Sequence, residues 1–346
     1  MSVIQLYAAR CSSSLYMNFR MIIGFMTFFL IFTPCLYGQS QNQHLIGDIY
    51  IRDPFIVPDA KQGIYYMYAS SSQRGQNGQT IGGVAVYKSK DLKTWEGPKQ
   101  VFTVPEDNWI TGVVWAPEVH QYNGRYYLFA TLNSNIEWKK RQEGWPRFTF
   151  RGTQIFHADS PEGPFLPFDR VPHTPMDYMA LDGTLWVEDG KPYMIFCREW
   201  VQITDGTMEV VELKPDLSAP VGQPLVLFCA SSAPWTPEGR NSYVTDGCFL
   251  FHTKTGKLLM IWSSFSEEGY AIGIAESVTG KVFGPWKQHT EPIFNRDGGH
   301  GMLFKTFEGK LCIVFHQPNG GGAERAQIYE LEDTGDTLMV IQKITN

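Results

Sequence analysis

Apolar and polar residues alternate with a period of two in five places along the chain, and each time the alternation runs up to a glycine turn and back. The segments read RDPFIVPDAKQGIYYMYAS from Arg52, WAPEVHQYNGRYYLFAT from Trp115, LDGTLWVEDGKPYMIFC from Leu181, TDGCFLFHTKTGKLLMIWS from Thr245 and GHGMLFKTFEGKLCIVFH from Gly299. Period-two alternation gives a strand two distinct faces, and a turn closing on Gly63, Gly124, Gly190, Gly256 or Gly309 folds two such strands into a hairpin. A third strand follows each hairpin, over 84–98, 153–165, 206–217, 271–286 and 326–338. No 3.6-residue period of an amphipathic helix separates them.

Aligned on the turn glycines, the residues heading the five segments are Asp53, Ala116, Asp182, Asp246 and His300, spaced by 63, 66, 64 and 54 residues. A repeat of about 60 residues made of strands predicts an all-β chain, a five-bladed β-propeller filling 45–346 without space for a second domain. The innermost strand of each propeller blade lines the central channel, so the five head positions converge there. Three of them carry a carboxyl group.

The first 38 residues read as a leader. Arg20 precedes the run MIIGFMTFFLIFTPCLYG, which is too short to span and anchor comfortably, and Gly38 supplies a small residue before a polar stretch. Met17 or Met21 is a candidate start. Pro34 stands where lipid attachment at Cys35 requires a small residue, which favours ordinary cleavage near Gly38. The mature protein is therefore expected to be secreted or periplasmic, with no membrane span.

Composition narrows the partners. A net charge of −6 without a basic stripe argues against nucleic acid and against an anionic membrane surface. Aromatic residues at 14% and charged residues at 18% suit tightly packed sheets. Cys197, Cys229, Cys248 and Cys312 have no CxxC spacing, so no zinc site is suggested and few or no disulfides are expected.

Each carboxylate has a bland reading. Asp53 precedes Pro54, and Asp182 and Asp246 precede glycine, so each alone suits a turn. Together they do not, because like charges gathered in one partly buried hub oppose folding unless the site uses them. Cleaving a glycosidic bond with inversion needs such a set. One ionised carboxylate activates water, one protonated acid feeds the leaving oxygen from about 6.5–9.5 Å away, and a third raises the acid's pKa by repulsion.

Arg52-Asp53-Pro54 in the first blade, Trp115-Ala116-Pro117-Glu118 in the second, Asp182-Gly183 in the third and Gly299-His300-Gly301 in the fifth resemble glycoside hydrolase family 43 across the whole mature chain. The resemblance implies a five-bladed propeller and an inverting hydrolase of arabinofuranosyl, xylosyl or galactosyl bonds. It places the general base at Asp53 and the residue that orients and tunes the acid at Asp182. The family's acid is a Glu in a Glu-Gly-Pro motif of blade four, where this chain has Asp246-Gly247-Cys248. Asp246 keeps the carboxyl but draws it back by one methylene. Glu199, in the run CREW, is the best substitute, and Glu238 ranks third. The resemblance also makes His300 a candidate contact for a calcium or sodium ion held mostly through water, against the plainer role of hydrogen-bonding the hub carboxylates. No cofactor is otherwise required.

Residues 132–152 read as a long insertion in blade two, and long polar-aromatic loops on rigid scaffolds usually shape binding sites. Trp138, Trp145 and Phe148 are candidates for a sugar platform, and Trp115, Trp200 and Trp235 for pocket walls. Glu118, Arg198 and His300 complete the candidate substrate contacts, with Arg198 alternatively pairing Glu199. The reading that results is an exo-acting α-L-arabinofuranosidase on plant polysaccharide side chains, with xylose or galactose as the less favoured sugars. The alternatives are an arabinan endo-hydrolase and a non-catalytic sugar-binding propeller with a lost acid. A fructan hydrolase is disfavoured because Arg52-Asp53-Pro54-Phe55 is not Asn-Asp-Pro-Asn, and a mannoside phosphorylase because no Arg and His cluster for phosphate is found.

Overall fold

A computed structural model describes residues 42–140 and 143–344. The expected leader over 1–38 lies outside the described residues. The rest forms five antiparallel sheets. Blade one holds β1 (Gln43–Leu45), β2 (Phe55–Asp59), β3 (Ile64–Arg74), β4 (Thr80–Ser89) and β5 (Thr94–Thr103), in the order β1-β5-β4-β3-β2. Blade two holds β6 (Val113–Tyr122), β7 (Arg125–Lys139), β8 (Phe148–Ala158) and β9 (Leu166–Pro167). Blade three runs through β10 (Ala180–Glu188), β11 (Lys191–Arg198), a single helical turn α1 (Trp200–Ile203), β12 (Thr207–Leu213) and β13 (Pro220–Cys229). Blade four comprises β14 (Asp246–His252), β15 (Leu258–Ser266), β16 (Gly269–Ser277) and β17 (Trp286–Gln288). Blade five comprises β18 (Gly299–Lys305), β19 (Leu311–Gln317), β20 (Arg325–Asp333) and β21 (Leu338–Lys343). The five-bladed propeller expected from the repeat is the observed fold.

The core lies between blades. Both faces of the inner strands are apolar, and clusters unite blades one, two and five (Tyr68, Phe156, Val314), blades three and four (Cys197, Trp262), and blades four and five (Ile272, Phe315). Fully burying such a side chain contributes roughly 1.5–3 kcal/mol, so the sheets stack face to face around the axis. The ring is closed by the segment before β2. Ile51 N–H donates to Glu324 O (3.2 Å), Tyr50 bridges Arg325, and Arg52 Nη1 pairs with Glu324 Oε1 at 3.0 Å.

Two expectations change. Much of the expected insertion over 132–152 is strand: β7 and β8 extend into it and pair, with Glu137 opposite Thr149 and Lys139 opposite Phe148. The blade-four alignment also shifts by one residue. In blades two to five the inner strand bulges at two consecutive residues, at Ala116-Pro117, Asp182-Gly183, Gly247-Cys248 and His300-Gly301. The first residue of each bulge is left-handed, as is Asp53 in blade one, with φ of 49°, 41°, 56°, 41° and 56° at Asp53, Ala116, Asp182, Gly247 and His300. Gly247, not Asp246, is therefore the equivalent of Asp53, and Asp246 corresponds to Trp115. The turns differ in length, so alignment on their glycines slips. A left-handed non-glycine residue costs on the order of 1–3 kcal/mol, and the repeat holds four such residues around the axis.

Candidate active site

Three of these left-handed residues, Asp53, Asp182 and His300, meet one another. The Asp53 backbone is held by His316, fully buried on β19, whose Nδ1 accepts the Asp53 N–H at 3.2 Å. The other ring nitrogen, Nε2, lies 3.2 Å from Asn319 Oδ1, which also accepts from Arg52 Nη2 at 2.8 Å. The Asp53 carboxylate places Oδ1 3.1 Å from His316 Nδ1 and 3.3 Å from His300 Nδ1. Burial alone would raise its pKa. His300, His316 and Arg52 outweigh burial and hold it well below the usual carboxylate range.

Asp182 is buried deeper. Its Oδ2 accepts the Gly247 N–H at 3.1 Å and lies 3.7 Å from His300 Nδ1. Burial first, and then the charge of Asp53, push it well above the ordinary value. Asp246, at the start of β14, accepts the Tyr270 hydroxyl at Oδ2 over 2.9 Å. Burial and then Asp182 raise it to about 7, against the opposing pull of His300 and the tyrosine hydrogen bond. One hub thus keeps Asp53 ionised and favours a proton on Asp246.

A cavity of about 540 Å³ opens on Asp182 and Asp246, lined by these two and by Arg52, Glu199, Trp115, Trp200, Phe265 and Asn319, with Asp53 adjoining the lining residue Arg52 in sequence. Of the candidate contacts, Trp115 and Trp200 stand in its wall. Glu199 lines it as well, but Oε2 is engaged by Arg151 Nη1, with both side chains nearly buried. Arg151 also donates from Nε to Asn133 Oδ1 (2.9 Å) and lies 4.5 Å from the Trp115 ring centroid. Burial lowers its pKa to about 10 despite Asp182 and Asp246.

The other candidates lie elsewhere. Glu118 is 4% exposed, lies with Oε2 2.8 Å from His120 Nε2, is absent from the cavity lining, and contributes to raising Asp182 through its charge. Arg198 does not pair Glu199: its guanidinium lies 3.8 Å from the Tyr178 ring centroid and Nε donates to Gln202 Oε1 (3.0 Å). Trp138 packs on Phe148 and donates to Thr149 O (3.2 Å), outside the cavity lining. Trp235 is core, 4.9 Å from Trp262, and Glu238 is exposed in a loop. Cys197, Cys229, Cys248 and Cys312 are free thiols.

His300 turns Nδ1 onto two carboxylates, and no group of three or more His, Cys, Asp or Glu among the described residues is arranged to hold a metal.

Arg151, Tyr270 and His316 were not among the residues singled out from the sequence. Arg151 sat within the presumed insertion. Tyr270 starts the third strand of blade four and His316 lies on the second strand of blade five, where aromatic residues read as packing; no repeat position marks them.

The chain matches the model of glycosyl hydrolases family 43 over residues 46–338. The structure is similar to that of an endo-arabinase from Bacteroides thetaiotaomicron, with a TM-score of 0.70 and 38% identity over 86% of this chain and 96% of that one. An α-L-arabinofuranosidase from Lactobacillus brevis, 18% identical with a TM-score of 0.66 over 84% and 93% of the two chains, shares the fold. An α-L-arabinofuranosidase of Humicola insolens is 22% identical over 84% of this chain, which spans 59% of that enzyme's length. The family model covers nearly all of the propeller: the chain belongs to glycosyl hydrolase family 43, whose members are inverting glycosidases.

Proposed function

We propose that the protein hydrolyses α-L-arabinofuranosyl bonds of plant polysaccharides with inversion, using Asp53 as general base and Asp246 as general acid. The observation that carries this reading is the opposite electrostatic setting of two carboxyls in one hub: Asp53 among His300, His316 and Arg52, and Asp246 beside buried Asp182. Asp53 draws a proton from water as it attacks the anomeric carbon. Asp246 gives its proton to the departing oxygen, and Asp182 keeps that proton in place until the bond breaks. Glu199 is committed to Arg151, which favours Asp246 as the acid.

The arabinosyl preference rests on the similarity to the Bacteroides thetaiotaomicron and Humicola insolens proteins. The first of these, at 38% identity, favours internal cleavage of arabinan over removal of terminal sugars. A polymeric substrate agrees with export by the expected leader.

The test is release of p-nitrophenol from α-L-arabinofuranoside, β-D-xyloside and β-D-galactoside, alongside reducing ends from arabinan, by wild type and by Asp53→Ala, Asp246→Asn and Glu199→Gln. Activity abolished by Asp53→Ala on every substrate supports the reading. A wild type silent on all of them replaces it with a sugar-binding propeller.

A further inference from the structure

Trp200 stands between two openings. Its ring lines the catalytic cavity, while Val201 and Gln202, the next two residues of α1, line a second cleft of about 710 Å³ together with Trp145, Phe148 and Asn241. The helical turn is the ridge that separates them. Trp145, from the hairpin of blade two, reaches this ridge: its ring meets Trp200 edge to face at 5.2 Å and 76°, and its indole N–H donates to Val201 O at 2.8 Å. Gln202 fixes the ridge from the other side, accepting from Met179 N (3.1 Å) and Arg198 Nε (3.0 Å) and donating to Asp177 O (2.6 Å). Phe148, buried with Met179 and Val201, gives the cleft a rigid floor.

Two partly exposed indoles in edge-to-face contact therefore stand one on each side of the ridge, Trp200 in the catalytic cavity and Trp145 in its neighbour. A flat indole face matches the C–H face of a sugar ring, and its fixed geometry removes the entropy cost of ordering it. Exposed Thr204 and Asn241 supply hydroxyl and amide groups, while Glu143 is the one charged side chain lining the cleft among the described residues. That chemistry suits a neutral polyhydroxylated ligand and not an anion.

We propose that this cleft binds the continuation of a neutral pentose chain whose scissile bond lies in the catalytic cavity, with Trp145 as its stacking platform. The inference rests on the arabinosyl reading above and deepens it: the substrate is a chain that crosses the α1 ridge, not an isolated terminal sugar.

The experiment measures kcat/KM on linear arabino-oligosaccharides of two to eight sugars for wild type, Trp145→Ala and Trp145→Phe, with calorimetric binding of the same ligands to the Asp53→Ala protein with and without Trp145→Ala. Wild type is expected to improve with chain length, and Trp145→Ala to reduce the long-to-short ratio by about five-fold or more, mainly through KM, with Trp145→Phe between them. Asn241→Trp, which puts bulk into the cleft while leaving residue 145 unchanged, should reduce the same ratio and keeps the test valid if Trp145→Ala does not fold. A wild-type rate independent of length, or an unchanged ratio in both cleft variants, overturns the inference. If no arabinoside is cleaved, the arabinosyl reading fails separately, and calorimetry with xylo-oligosaccharides then decides the cleft: Trp145-dependent binding of a longer chain sustains it, and none overturns it.

Discussion

The Tyr270 hydroxyl donates to Asp246 Oδ2 over 2.9 Å from the strand beyond the adjacent one, with its ring stacked 5.7 Å from that of His316, the residue that anchors Asp53. One buried tyrosine thus bonds the proposed acid and stacks on the histidine that anchors the proposed base, and it holds the carboxyl that is one methylene shorter than the family's glutamate. The hydrogen bond stabilises ionised Asp246 and so lowers its pKa. Tyr270→Phe should shift the alkaline limb of the rate profile to higher pH and lower kcat on oligosaccharides by about ten-fold. A full pH profile checks it; an unmoved limb separates Tyr270 from the acid.

The two carboxyls set the limits of activity. Asp246, at about 7, must hold its proton, so the rate should fall as pH rises through neutrality. Asp53 lies well below the ordinary carboxylate range, so activity should persist into mild acid. Asp246→Asn should cost on the order of 10²–10⁴-fold on arabino-oligosaccharides but far less on p-nitrophenyl arabinofuranoside, whose leaving group needs little acid help. Equal losses on both would assign the acid elsewhere, with Glu199→Gln as the comparison.

Stability should depend on the same groups. Asp246 has a raised folded-state pKa, so its contribution is complete below about pH 4 and is lost as pH rises through about 7. Asp53, with a depressed pKa, contributes above its unfolded value and loses that contribution only in strong acid. The melting temperature should therefore be higher near pH 5 than near pH 8, and Asp246→Asn should flatten the difference. A calorimetric scan at each pH is sufficient.

Arg151 and Glu199 form a nearly buried ion pair. Removing the cation alone strands a carboxylate in the cavity wall, so Arg151→Met should cost roughly 3–5 kcal/mol in chemical denaturation. Arg151→Met with Glu199→Leu should recover most of it. If the double variant is no more stable than the single one, Arg151 acts through Asn133 and Trp115 instead.

Gly247 has φ +41°, and a Cβ there would lie 2.6 Å from the His300 ring. Gly247→Ala should destabilise the fold by on the order of 1–3 kcal/mol and displace His300 from Asp53 and Asp182. Thermal melting and the acidic limb of the rate profile would report both effects.

The sequence by itself determined the propeller, because period-two alternation and glycine turns are local rules that repeat five times without long-range information. It also determined that Asp53 and Asp182 head their blades, since a carboxylate beside a proline or glycine at a repeat position is visible in one dimension. The register of blade four was not legible, because turn lengths vary and only the bulge opposite Trp262 shows that Gly247 holds the left-handed position. Glu118 and Arg198 read as polar residues near the hub, yet burial and Tyr178 direct them away from it. Arg151, Tyr270 and His316 meet the carboxylates from strands up to 263 residues away in sequence, and a hydrogen bond of that range has no local signature. Which carboxyl keeps its proton was decided by tertiary structure alone: burial and neighbouring charges set a pKa, and both come into being only when the five blades close around one axis.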